Sequence, residues 1–445
     1  MRSGAQQGEA RQGEARRREL ADRIREHRAL IAVIAVAEVI AVLAVSTINQ
    51  HDHIDGEVYQ LGARAWLAGH DLYGDLGPTR SGLRLPFLYP PFAAIAFSPL
   101  AFASKTTGIV VISVLSHLAL LAALHAVLSS CTFLAGRRDA VLLATAAALP
   151  LATIAEPVQE TFGYAQINLV LMGLVAVDCL WRTGPGRRLP YPRGMLVGLA
   201  AGLKLTPAVF LLFFLLRKDY RAIATAVAGF AGTVLVGALL SFEDSRRFWL
   251  GEMLASSTVR FGPKFTGDAS TYAGNQSLRS LLAKFDLPGL WLTVVFALVA
   301  LLVATAAVLG MLHALRRRDL PLAVVLNGVL GLLVSPISWS HHWVWAAPAL
   351  VLLLGAAVAE RNWPLLAASS LVAGFFLIAP HWKMPQGRGL ELRWGFAQQL
   401  LGNAYVYCGL AFVLHAAVLW WLARHRARER AVEPVVEEPV TAPLR

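Results

Sequence analysis

Residues 194–216 read GMLVGLAAGLKLTPAVFLLFFLL, an apolar stretch long enough to cross a bilayer but interrupted by Lys204, Thr206 and Pro207. A lysine in open hydrocarbon is costly, and a proline removes a helix hydrogen bond. The interruption predicts two half-helices, Gly194–Leu203 and Thr206–Leu216, folded into a hairpin with Lys204 at its tip. Irregular backbone at that depth is tolerated only where it lines protein or water. Gly194, Gly198 and Gly202 recur every four residues, a small-residue stripe suited to close helix packing.

The rest of the chain is apolar in the same way. Of 445 residues, 56% are hydrophobic and 15% charged, whereas soluble domains carry about a quarter charged residues. Spans are expected at Ala29–Ile48, Thr106–Leu128, Ala140–Ala155, Tyr164–Trp181, Arg221–Phe242, Leu290–Leu315, Leu320–Ile337, His342–Val358, Trp363–Ala379 and Gly402–Leu422. The fold class is therefore all-α, a polytopic transmembrane helical bundle of about 11–12 hydrophobic segments. The first run is longer than the apolar region of a cleavable signal peptide and reads as an uncleaved span. Residues 1–28 read as a basic cytoplasmic tail, 29–424 as the transmembrane domain, and 425–445 as a second cytoplasmic tail.

A net charge of +12 would point a soluble protein toward nucleic acid, but in a membrane protein Lys and Arg set orientation. No nucleic-acid partner is expected; the partner is the lipid bilayer. The loops holding Arg137 and Arg138, Arg182 to Arg193, Arg217 to Arg221, Arg316 to Arg318, and Arg361 share the N-terminal side only if 194–216 is a hairpin. A straight crossing would invert everything after it. Both termini then lie inside, and segments 49–89, 156–163, 243–288 and 380–401 face the exterior of the cytoplasmic membrane, carrying short surface helices. Cys131, Cys179 and Cys408 have no CxxC spacing and read as packed thiols, with neither a disulfide nor a metal site implied.

The external segments hold the residues suited to chemistry. His51, Asp52, His53, Asp55 and Glu57 crowd the exit of the first span. In a helix over Asp55–Leu67, Asp55, Tyr59 and Gly62 share one face. Asp55 there is open to three readings: a helix-start carboxylate, a general base toward a hydroxyl, or a metal ligand, although HDHID has no specific ligand spacing. Phe87-Leu88-Tyr89-Pro90-Pro91-Phe92 is an aromatic, proline-broken segment suited to the interface. Lys204 is either a phosphate-holding cation or a structural lysine paired with polar groups or snorkelling to the interface. In Ser335-Pro336-Ile337-Ser338-Trp339-Ser340-His341-His342-Trp343, adjacent side chains diverge by about 100°, so one histidine can address a ligand while the other packs. Asn275-Gln276-Ser277 fits a frequent, weak sequon; Asn275 and Gln276 could equally line a sugar site.

Taken in order, these motifs resemble one family. Asp55-x-x-x-Tyr59 with Gly69-His70-Asp71-Leu72-Tyr73, then Phe87 to Phe92, Gly202-Leu203-Lys204-Leu205-Thr206-Pro207, Asn275-Gln276-Ser277-Leu278 and Ser335 to Trp343 together are similar to the GT-C class glycosyltransferases. Within that class they resemble family 87, the polyprenyl-phosphate-mannose-dependent mannosyltransferases of actinobacterial type. The resemblance implies an inverting transfer of mannose from a polyprenyl-phosphate donor to a hydroxyl of a glycolipid or lipoglycan outside the cytoplasmic membrane, with an α-1,2 linkage. It implies Asp55 as the base, and Lys204 with His341 or His342 at the departing phosphate. Tyr59, Tyr89, Asn275 and Gln276 match motif positions and would belong to the substrate site. No cofactor and no metal are implied. The alternatives are a relative moving another lipid-linked sugar, and a transporter or flippase. Transporters often pair broken helices across two halves, and this chain shows one.

Overall fold

The structure, a computed structural model, describes residues 28–48, 52–181, 190–251 and 269–432. The expectations for tails 1–27 and 433–445, for His51, for residues 182–189 and for residues 252–268 lie outside the described residues. Among the described residues the regular structure is helical, with two isolated bridges, Pro78 to Arg84 and Asn275 to Trp339.

The main helices are α1 (Arg28–Ile48), α2 (Ile54–Leu67), α3 (Lys105–Ser130), α4 (Arg138–Thr153), α5 (Glu156–Gly163), α6 (Asn168–Leu180), α7 (Met195–Leu203), α8 (Leu211–Leu216), α9 (Tyr220–Leu240), α10 (Gly289–Arg316), α11 (Leu320–Val334), α12 (Ala346–Ala359), α13 (Trp363–Ile378) and α14 (Ala404–Val432). Among the described residues, five helical stretches are long and apolar enough to cross a membrane: α3, α9, α10, Ser340–Ala359 and the Ala404–Arg426 part of α14. α4 and α5 pass together as a pair bent by 67°. α1 matches the first expected span, whereas α6 and α11 are shorter than the spans expected from sequence. α6 has 13 residues, about 20 Å at about 1.5 Å per residue, because the backbone leaves the helix at Gln166, whose polar side chain is satisfied inside the protein.

The glycine stripe decides the path of the chain around Lys204. A Cβ on Gly194, Gly198 or Gly202 would collide with the Ala222 carbonyl, the Ala226 carbonyl and the Thr233 side chain respectively. Contacts that advance together along both helices mean that α7 and α9 run parallel. The intervening segment must therefore return, so 195–216 is a hairpin. Its ascending arm is α7. Its descending arm is a 3-10 turn, Thr206–Phe210, leading into α8. Lys204 sits between the arms in extended backbone, φ −155° and ψ 130°.

α3 and α6 are likewise parallel: Gly173 abuts Ala119, and Ser130 Oγ donates to the Leu180 carbonyl at 3.3 Å. α4 runs back between them in sequence. Arg138, Arg193, Arg217, Arg316 and Arg361 thus gather at one end of the bundle, and Asp55, Lys204 and Trp339 at the other. One segment expected to be external, at the Asp55 end, is enclosed by protein. Glu156–Gly163 is a buried helix packed under Ser340–Trp345, with Glu156 and Glu160 each 5% exposed. It follows a proline-containing turn and hydrogen-bonds inward, Thr161 Oγ1 to the His341 carbonyl at 3.0 Å, which removes any need for solvent.

The close α7–α9 approach makes Gly198 intolerant of a methyl group, whereas Gly232 on the same α9 faces open space. Gly198→Ala should cost about 1–3 kcal/mol as an overpacking change, and Gly232→Ala should not. Thermal unfolding of the two purified variants in one detergent checks this.

Candidate active site

Asp55 is the second residue of α2, where the helix dipole favours a carboxylate. It is not the cap: the residue before the helix is His53, in left-handed backbone, φ 54°, with no side-chain capping bond. Four residues on, Tyr59 is fully buried, stacked on Phe97 at 4.4 Å between ring centroids. Gly62, one turn further, lies under the Phe87 ring, with no room for a side chain. The helix face read from sequence is therefore the face packed against the Phe87–Phe92 segment.

Three side chains close a ring beside Asp55. Gln166 Nε2 donates to Asp55 Oδ2 at 3.0 Å and to the Tyr89 hydroxyl at 3.0 Å. The Tyr59 hydroxyl donates to Gln166 Oε1 at 2.6 Å and lies 3.2 Å from the Tyr89 hydroxyl. One proton arrangement satisfies all four contacts, with Tyr89 donating to Tyr59, so the amide of Gln166 has a single orientation. Burial pushes both phenols above their ordinary range, and they stay neutral. Tyr89 is itself positioned through its backbone, since the Tyr73 hydroxyl donates to its carbonyl at 2.9 Å. Asp71 ties that loop down, pairing with Arg247 at 2.5 Å and accepting from the Tyr73 amide at 3.0 Å.

The cation stands on the other side of Tyr89. Lys204 Nζ lies 5.8 Å from the Tyr89 ring centroid, a cation–π distance. It donates to Asn168 Oδ1 at 3.0 Å and meets His342 Nε2 at 3.2 Å. Two of the three ammonium donors are thereby used, and Asp55 is near enough to act on the ammonium electrostatically. Of the structural readings of Lys204, snorkelling is excluded by this geometry: its polar partners are internal.

The two histidines diverge as the helical geometry requires. Their rings meet edge-on, 4.8 Å apart at 88°. His342 faces Lys204, and His341 packs against Tyr164 at 4.9 Å. The His341 carbonyl accepts from Thr161 and from Asn168 Nδ2 at 2.9 Å. From Lys204, Asn168 and His342 a narrow crevice runs between Met172, Phe210 and Trp345, polar at one end and apolar along its walls.

Asn275 and Gln276 do not join this group. Both are 0% exposed. Asn275 accepts from the Ser338 amide at 3.0 Å, and Gln276 Nε2 donates to the Ala273 and Gly402 carbonyls, each at 2.8 Å. Asn275 and the Nε2 of Gln276 bond to backbone and help hold the Ser335–Trp343 turn in place, while Gln276 Oε1 has no hydrogen-bond partner among the described residues. Conversely, Gln166 and Asn168 were not singled out from sequence. The available signal was two amides two residues apart where an apolar helix begins. Among the described residues no three His, Cys, Asp or Glu side chains converge as a metal site would require.

A half-buried carboxylate, an ammonium and an imidazole at one end of a helical bundle, beside an apolar crevice, suit group transfer from a lipid-borne substrate. Residues 87–336 match the model of glycosyltransferase family 87, and the chain belongs to that family. It is a multi-pass membrane glycosyltransferase, which displaces the transporter reading. The chain is 40% identical to a polyprenol-phosphate-mannose-dependent alpha-(1-2)-phosphatidylinositol mannoside mannosyltransferase of Mycobacterium tuberculosis, over 82% of this chain and 84% of the relative. The protein of that description from Mycolicibacterium smegmatis is 36% identical over 81% and 82%. An alpha-(1->3)-arabinofuranosyltransferase of Corynebacterium glutamicum is 24% identical over 66% and 65%. No solved structure matches the chain.

Removing one hydroxyl tests the ring. Tyr59→Phe strands Gln166 Oε1 and the Tyr89 proton in a buried site, which should cost about 1–3 kcal/mol. A lowered unfolding temperature of the purified variant is the expected reading.

Proposed function

We propose that the chain transfers mannose from a polyprenyl-phosphate-mannose donor to a hydroxyl of a phosphatidylinositol-mannoside-type glycolipid, with inversion and an α-1,2 linkage. The reaction takes place on the outer face of the cytoplasmic membrane. The observation that carries the reading is the placement of Asp55 and the Lys204–His342 pair at one end of the bundle, joined through Gln166 and Tyr89. The relatives' printed activity supplies the sugar, the lipid and the linkage.

In this reading the acceptor hydroxyl attacks C1 of the mannosyl group, and its proton passes to Asp55. The bond between C1 and the phosphate oxygen breaks with its electron pair on oxygen. Negative charge grows on the leaving polyprenyl phosphate, where a preorganised ammonium is worth most. Lys204 supplies it, held by Asn168 on one side and His342 on the other. Gln166 orients Asp55 by donating to one carboxylate oxygen. The exterior assignment rests on the arginines gathered at the opposite end of the bundle, as positive loops gather in the cytoplasm.

Membranes given labelled polyprenyl-phosphate mannose should transfer label to glycolipid. Asp55→Asn should lower the rate by about 10²–10⁴, and Lys204→Met by about 10²–10³. An active wild type with an undiminished Asp55→Asn variant overturns the assignment of the base. Because one relative transfers arabinofuranose, the same membranes should be offered a polyprenyl-phosphate arabinofuranose, and mannose should be preferred. For sidedness, a cysteine at Arg80 should react with an impermeant thiol reagent applied to whole cells, and one at Arg138 should not.

A further inference from the structure

A second buried lysine lies at the Asp55 end of the bundle, outside the group just described. Lys284, 2% exposed, follows the short helix Leu278–Ala283 and precedes α10. Its Nζ donates to Asn403 Oδ1 at 2.7 Å and stands 5.1 Å from the Trp394 ring centroid. Asn403 is oriented by Gln399, whose side-chain oxygen accepts from it at 3.0 Å. Among the described residues no carboxylate lies within ion-pair distance of Lys284. Glu391 acts on it only through space, and burial pushes the ammonium down to about 7.

Lys284 opens onto a cleft of ≈ 500 Å³, within the range of about 300–1,000 Å³ that small-molecule sites occupy. Its rim carries one carboxylate, Asp286, and is otherwise mainly apolar and uncovered: Phe285 is 56% exposed, Phe396 86% and Leu400 49%. Leu290 and Trp291, at the adjoining start of α10, are also exposed, as befits residues at the level of lipid headgroups. A soluble anion gains nothing from the apolar part of the rim, whereas an anion on Lys284 favours the charged form that burial disfavours, and a neutral lipid does not. An amphiphile with an anionic head satisfies both.

We propose that this cleft seats the phosphodiester of the acceptor's glycerolipid anchor on Lys284, with the acyl chains over Phe285, Phe396 and Leu400. The inference rests on the glycolipid acceptor proposed above. It gives the acceptor a fixed handle on the same end of the bundle as Asp55. The two places are structurally continuous: Gln276 binds the Gly402 carbonyl next to Asn403, and its neighbour Asn275 binds Ser338 in the turn that carries His342. One N–H of the ammonium is used by Asn403, and the phosphodiester oxygens take those facing the cleft.

The test uses the full chain, purified in detergent, with polyprenyl-phosphate mannose as donor and two acceptors: a phosphatidylinositol mannoside and a phosphate-free alkyl mannoside. Lys284→Gln should raise KM for the phosphatidyl acceptor by about 10-fold or more, the value of a charged hydrogen bond, with kcat and the alkyl-mannoside KM unchanged. Lys284→Arg should retain most of the affinity. Phe396→Ser, at a largely exposed position with little packing to lose, should raise that one KM as well. An equal rise for both acceptors, or no rise for either, overturns the proposal. Native mass spectrometry of the same proteins gives a reading independent of catalysis. Wild type should retain the phosphatidylinositol mannoside over an equal amount of phosphatidylglycerol, and Lys284→Gln should lose that preference. Equal retention of the two lipids by wild type marks a bulk-lipid site and overturns the proposal. A wild type inactive with the mannosyl donor but showing this preference would count against the proposed reaction alone.

Discussion

Keeping an ammonium group inside a membrane protein, at the tip of a helix folded back on itself, is the constraint around which the Asp55 end is built. Withdrawing such an ion from water costs several kcal/mol even after relaxation. The compensation at Lys204 is local and complete in kind: an amide oxygen, an imidazole nitrogen, an aromatic face and the field of a carboxylate. Each of those partners comes from a different part of the chain. The hairpin, the late start of α6 at Asn168 and the turn before α12 all have to arrive together for the charge to be tolerated.

The supporting contacts are correspondingly rigid. α7 reaches α9 at backbone distance because three glycines leave no side chain between them. The loop carrying Tyr89 is tied through Tyr73 and Asp71 to Arg247. Glu156, buried under the turn of Ser340–Trp345, accepts from Trp382 at 2.6 Å and from Tyr405 at 2.8 Å, joining α5 to α14. The carboxylate and the cation of the proposed reaction would gain from such support, since small displacements at a reacting centre are costly.

The hairpin was legible in the sequence because Lys204, Thr206 and Pro207 violate, in four residues, what a straight crossing requires. Asp55 was legible by its position at the end of a span, and the divergence of His341 and His342 by helical geometry alone. The lengths of some spans were not, because hydropathy records how apolar a segment is and not how far it is sunk among its neighbours; α6 and α11 are shorter than their apolar runs. The amides show the same limit. Gln166 and Asn168, silent in the sequence, hold the two charged groups, while Asn275 and Gln276, conspicuous in it, serve backbone. Which surface an amide faces is decided by tertiary packing, on which a linear pattern is mute.

The main-chain carbonyl of His341 receives two side-chain donors, from Thr161 on α5 and Asn168 on α6. Every amino acid carries that oxygen. That anchor for the neighbouring imidazole is supplied by peptide, and the His341 ring adds a second one by packing between Tyr164 and His342.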